Sequence, residues 1–131
     1  MSMITPINKG ILIRGAFKIM KEETTFDTFN KLDIRVGIVK KVKDFPKANK
    51  PAYKLWVDLG EELGVKKSSA QITEKYEKKE LKGKKVIAIV TFPPLQIADF
   101  ISEILVLGIY AKEGVVLLSP DKEVKIGSKI G

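Results

Sequence analysis

The chain of 131 residues contains no cysteine and no histidine. The first absence excludes disulfides, zinc–thiolate centres and thiol nucleophiles, and it suits a reducing cytoplasm. The second excludes Ser-His-Asp catalysis, imidazole metal ligation and an imidazole pH switch. Arginine is almost missing: Arg14 and Arg35 stand alone among 24 basic residues, the rest being lysine. Lysine attracts polyanions as a point charge and reads bases poorly, so sequence-specific nucleic-acid recognition is disfavoured. No long apolar run is present either. The stretch Ile11–Phe17 is short, interrupted by Arg14 and followed by no small-residue cleavage pattern, so neither a membrane span nor a signal peptide is expected. With no nucleophile–base pair and no cofactor motif, the chain reads as non-enzymatic, cofactor-free and cytoplasmic.

What remains is ample apolar material and a strong positive charge. The hydrophobic fraction is 44%, and 24 Lys+Arg against 16 Asp+Glu leave a net charge of +8. One domain with its own core is expected from this length. The charge is uneven. Residues 66–85 hold eight lysines against Glu74, Glu77 and Glu80, whereas residues 86–121 hold Lys112 against Asp99, Glu103, Glu113 and Asp121. A basic face for a polyanion and a lysine/glutamate surface serving solubility both fit this pattern.

Residues 1–25 do not share the pattern of the remainder and read as an N-terminal extension, with Met20 as a second possible start; the domain is expected over residues 26–131. Thr25 suits the cap of a short helix at Phe26–Asn30. Leu32, Ile34, Val36 and Ile38 alternate with Asp33, Arg35 and Gly37, which predicts a half-buried strand with a bulge or a sharp coil at Gly37. Tyr53, Leu55, Val57 and Leu59 predict a second strand, with Lys54, Trp56 and Asp58 on its polar side. A third is expected over Leu63–Lys67, then a helix over Thr73–Lys79 capped by Thr73. Val86–Phe92 reads as a strand covered on both faces, Ile104–Ala111 and Val115–Leu118 as a hairpin, and Ile126–Gly131 as a closing strand. The chain is therefore all-β with short helices, and several small barrels or a sandwich satisfy the periodicity.

Three segments narrow this: Ser68-Ser69-Ala70-Gln71-Ile72, then Val86 through Pro93-Pro94 after a lysine-rich stretch, then Ser102-Glu103-Ile104-Leu105-Val106-Leu107-Gly108. Over Phe26–Gly131 the chain resembles the CsaA-type proteins, export-related chaperones within the larger tRNA-binding-domain family. The resemblance implies a five-stranded OB-fold barrel, a homodimer, and binding of unfolded or precursor polypeptides. Its alternative implication is a structure-specific tRNA-binding protein, with tRNA as partner. Ile104 and Leu105, where tRNA-binding members often have Gly-Met, place the chain nearer the CsaA branch. Thr91 stands where Asn is common, and Leu95 and Gln96 replace a basic pair.

The candidate sites follow from these readings. Phe92, Leu95, Ile97 and Phe100 are expected to line a pocket for apolar side chains of a peptide, or to pack into the chain's own core or a dimer interface. Lys75, Lys78, Lys79, Lys82 and Lys84 are the candidate polyanion face. Trp56 is placed to stack a base or an apolar side chain, or to pack beneath the first loop against Pro51 or at a subunit contact. Ser69, Gln71 and Ser102 lie on the ligand side implied by the resemblance, and with Glu103 they serve equally well to tie strand ends together. Asp58, Glu61 and Glu62 form an acidic turn without calcium-loop spacing, which reads as solvated.

Overall fold

The structure, a computed structural model, describes residues 20–131; the run Ile11–Phe17 and the rest of residues 1–19 lie outside it. The first strand organises everything that follows. β1 (Ile34–Asp44) is eleven residues long and serves two neighbours. Its first half, Ile34–Ile38, pairs antiparallel with β4 (Lys85–Ile89), and its second half pairs with β2 (Tyr53–Asp58). The change of partner coincides with a register shift between Val39 and Lys41. An extra residue there bends and twists the strand, which lets one strand belong to both sides of a barrel. The bulge is thus at Lys40 and not at Gly37. Gly37 sits in regular pairing with Val86, and its role is steric: a Cβ there would lie 2.5 Å from Val57 Cγ1.

β3 (Val65–Ala70) pairs with β2, and the short β7 (Leu105–Val106) pairs with β4, giving the sheet order β3-β2-β1-β4-β7. The expected third strand is displaced by three residues at its C-terminal end. A turn closed by Gly64 donating to the Gly60 carbonyl occupies the positions before Val65, and Gly64 has the positive φ (71°) that such a turn needs. Closure between β3 and the start of β7 is made partly by side chains. Glu103 and Ile104 N–H donate to the Lys67 carbonyl, Lys67 N–H donates to Glu103 Oε1 at 2.9 Å, and Ser69 N–H donates to Ser102 Oγ at 3.0 Å. The result is the five-stranded OB-type barrel with short helices that the resemblance implies.

The remaining elements are small. α1 (Phe26–Phe29) is capped by Thr25, whose hydroxyl accepts from Thr28 N–H. α2 (Lys78–Leu81) is shorter and later than expected, and is capped by a reciprocal Glu77–Glu80 box, not by Thr73. Tyr76 explains the delay. Its carbonyl accepts from the Tyr53 hydroxyl and its own hydroxyl accepts from Leu117 N–H, which holds the preceding segment in a turn. β4 stops at Ile89, leaving Thr91 and Phe92 exposed instead of covered on both faces. A hairpin of β5 (Leu95–Ile97) and β6 (Phe100–Ser102) follows, and a second of β8 (Gly108–Ala111) and β9 (Gly114–Leu117). The expected closing strand at Ile126–Gly131 is only a single bridge, Lys129 to Arg35, although Gly127 and Ile130 donate to the carbonyls of Val36 and Ile34.

Leu55, Val57, Leu81, Val86 and Ala88 are fully buried and, with Val39, Leu59, Ile72, Ile104 and Leu117, fill the barrel. A second, smaller apolar cluster lies outside it: Phe45, Ala52 and Phe100 are buried, with Ala48, Trp56 and Ile97 packed against them.

A lysine and aromatic face on the barrel

The bulge at Lys40 decides which side chains of β1 face outward. On its two sides, Val39 and Val42 turn inward opposite Val57 and Leu55, so Lys41 and Lys43 point away from the barrel. Register then builds two cross-strand rows on the outer face of β1, β2 and β3. One is Lys41, Trp56, Lys67; the next is Lys43, Lys54, Ser69. The β5–β6 hairpin packs on this face. Phe100 meets Phe45 and Trp56 edge-on, at ring-centroid distances of 5.4 and 5.8 Å, and Lys47 bonds Asp99 at 2.9 Å to pin the first loop to the hairpin turn. That contact holds the Asp99 carboxyl below its ordinary pKa.

The ammonium groups are arrayed over the rings. Lys41 Nζ lies 4.6 Å from the Trp56 ring, Lys54 Nζ 5.0 Å from Phe45 and 5.4 Å from Phe100, and Lys67 Nζ 5.3 Å from Phe100. Such contacts hold a cation in place while leaving its charge uncompensated. Among the described residues, none of Lys41, Lys43, Lys54 and Lys67 pairs with a carboxylate, whereas Lys47, Lys78, Lys79 and Lys85 do.

The residues singled out from the sequence distribute unevenly. Trp56, Ile97 and Phe100 come together, but not as an open pocket with Phe92 and Leu95. Phe100 is buried because its aromatic ring fills the gap between the first loop and β2. Leu95 shares its hairpin face with Ile97 and Phe100, since Leu95 pairs with Ser102 and Ile97 with Phe100, yet it remains 63% exposed at the rim. Ser69 and Ser102 meet each other in the barrel seam. Gln71 is elsewhere, lining an open cleft with Lys50, Glu74 and Lys112. Around α2, Lys78 bonds Asp44 and Lys79 pairs with Glu77, Lys84 lies over Tyr76, and Lys75 and Lys82 are exposed. The acidic turn is partly occupied within the chain: Asp58 accepts from Gly60 N–H and Glu62 from Arg35.

Two features escaped sequence reasoning. Arg35, expected on a polar strand face, is 6% exposed; Asp33 takes its Nε and Nη2, and Glu62 and the Gly127 carbonyl take Nη1. The hydrogen bonds from Arg35 hold the Asp33 carboxyl below the usual carboxylate range, and those to Asp33 and Glu62 raise Arg35. Its rarity was the available signal, since a fork of donors suits a buried site better than an ammonium. The rows of lysines on adjacent strands were hidden because they depend on register across a bulge.

The geometry finds its counterpart among known proteins. Residues 34–129 match the model of the tRNA binding domain family. The methionine–tRNA ligase of Pyrococcus horikoshii is 40% identical over 109 residues, and that of Methanocaldococcus jannaschii 38% over 124 residues, covering 83% and 94% of this chain. The chain spans only 15% and 18% of those ligases. Two solved structures match over their whole length. The CsaA chaperone protein of Picrophilus torridus has 56% identity and a TM-score of 0.80 over 83% of this chain. The chaperone CsaA of Bacillus anthracis has 44% identity and a TM-score of 0.79 over 84%. The barrel, its seam and these matches together make the chain a CsaA-type member of the tRNA binding domain family.

Proposed function

We propose that this chain is a non-catalytic binding protein that holds unfolded or precursor polypeptides, as a CsaA-like chaperone would, on the outer face of β1–β3 and the adjoining hairpin. The observation that carries the reading is Leu95. An aliphatic side chain 63% exposed, on the same hairpin face as the half-buried Ile97 and the buried Phe100, offers an apolar step that a peptide side chain can cover. Lysines on the same face would speed encounter. A homodimer is part of the proposal: Ile109 and Tyr110 on β8 and Val116 on β9 are exposed at 54, 94 and 36%, an apolar area suited to a second copy. The cytoplasm is the proposed site of action, and among the described residues no helix is long and apolar enough to cross a membrane.

A second reading, tRNA binding, rests on the lysine rows around Trp56, since OB barrels hold nucleic acid by backbone electrostatics and stacking. Anisotropy titrations of labelled unfolded polypeptide and of tRNA, on the wild type and Leu95→Asp, separate the two. The polypeptide reading expects Leu95→Asp to weaken polypeptide binding while its melting temperature and tRNA binding stay near wild type. Unchanged polypeptide binding removes the hairpin rim from the site.

A further inference from the structure

The face over Trp56 is already occupied, and its occupant has a definite chemistry. Phe100 is 5% exposed and set edge-on against Trp56 and Phe45, with the Lys54 and Lys67 ammonium groups 5.4 and 5.3 Å from its ring. Its neighbour Asp99 accepts from Lys47 Nζ at 2.9 Å; that hydrogen bond, and beyond it the charge of Lys54, hold the carboxyl below its ordinary pKa. An anion and an aromatic ring on adjacent residues thus lie among lysines and a tryptophan. A nucleotide offers the same pair, a phosphate beside a base, and OB barrels hold single strands by these two kinds of contact.

The hairpin that carries Asp99 and Phe100 is lightly attached. Its strands β5 and β6 pair only with each other. Among the described residues, Lys47–Asp99 is the one hydrogen bond from residues 95–101 to the rest of the chain, and both of its side chains are exposed, so salt weakens it. Phe100 packs in the small cluster with Phe45 and Ala52, separate from the set that fills the barrel, so lifting it leaves the barrel interior intact. The firm attachment is at one end, where Ser102 and Glu103 accept from β3. Pro93-Pro94 stiffens the approach at the other.

Resting on the tRNA reading above, we infer that the β5–β6 hairpin is a lid on the nucleic-acid face, with Asp99 and Phe100 standing in for a nucleotide, and that unpaired nucleotides bind by displacing it. The hairpin moves as a unit about its Ser102–Glu103 attachment, its own pairing intact. Displacement frees Trp56 and Phe45 for a base and Lys47, Lys54 and Lys67 for phosphates. The lid lowers affinity: a face open about 1% of the time binds about a hundredfold more weakly than the same face always open.

Anisotropy titrations of a labelled single-stranded RNA with the wild type, Phe100→Ala and Asp99→Asn test this. Losing the chain's own residues should strengthen binding, by about tenfold or more for Phe100→Ala and about threefold for Asp99→Asn, since an exposed ion pair holds less than a buried ring. Glu61→Gln removes the same charge from the acidic turn and should bind close to wild type. The emission of Trp56, the single tryptophan, should change on RNA binding, and acrylamide should quench it more readily in Phe100→Ala. Folded Phe100→Ala and Asp99→Asn that bind no more tightly than wild type make the hairpin a fixed wall and overturn the inference while the tRNA reading stands. Equal gains in Asp99→Asn and Glu61→Gln, with none in Phe100→Ala, reduce the effect to net charge and overturn it as well. Where Phe100→Ala fails to fold, Asp99→Asn against Glu61→Gln decides. No RNA binding by any of the four proteins at low salt removes the tRNA reading, and the inference with it.

Discussion

Arg35 shows what one side chain does in the barrel wall. It joins Asp33, Glu62 and the Gly127 carbonyl, so three segments distant in sequence meet at one guanidinium. Because Asp33 titrates lower when folded than unfolded, its contribution is complete above the unfolded value of about 3.9 and is lost as pH falls through the lower folded value. Asp33→Asn should therefore destabilise the chain at neutral pH, by on the order of 1–3 kcal/mol, and flatten its stability profile below about pH 4; urea titrations across that range measure both. Ala98 is a second informative residue. It turns the β5–β6 hairpin with φ 54°, a conformation that costs an L residue about 1 kcal/mol. Ala98→Gly should raise stability by up to about 1 kcal/mol in the same titration, without altering ligand binding.

At the scale of elements, the seam between β3 and β7 is the part of the barrel least supported by backbone pairing. Glu103 Oε1 and Ser102 Oγ stand where a neighbouring strand's carbonyls would, accepting from Lys67 and Ser69 N–H. Substituting Glu103→Ala leaves a half-buried amide without an acceptor and should cost about 1–3 kcal/mol. Hydrogen exchange would show the Lys67 amide as the most accelerated on β3, with β1 and β2 little changed. Gly37 tests the opposite side. A methyl group there would press on Val57, so Gly37→Ala should destabilise by about 1–3 kcal/mol through overpacking, read as a lower denaturation midpoint.

For the whole molecule, charge and apolar exposure pull in different directions. A net charge of +8 keeps copies apart, while the exposed β8–β9 hairpin favours a second copy. If that hairpin is the dimer contact, the proposed homodimer should tighten as salt screens repulsion, whereas tRNA binding should weaken. Sedimentation at low and high salt checks the first, and a single species of monomer mass at both would remove the dimer from the proposal. Tyr110→Lys should give a folded monomer, since a side chain 94% exposed contributes little to the barrel.

Local chemistry was legible in the chain itself. Alternation of Leu55 and Val57 with Lys54 and Trp56 placed β2 and its faces, Thr25 capped its helix, and the absence of histidine and cysteine removed whole classes of chemistry before any fold was considered. These follow from one residue's preferences and its near neighbours. The bulge at Lys40, the burial of Arg35, the late start of α2 and the use of Phe100 as a wedge instead of a pocket wall were decided only in three dimensions. Each depends on a partner far along the chain: Val57 for the bulge, Glu62 and Gly127 for Arg35, Tyr53 and Leu117 for Tyr76, Phe45 and Trp56 for Phe100. Periodicity says which way a side chain points along its own strand. What it meets there is set by the register of other strands, and the lysine and aromatic rows exist only because three strands agree on that register.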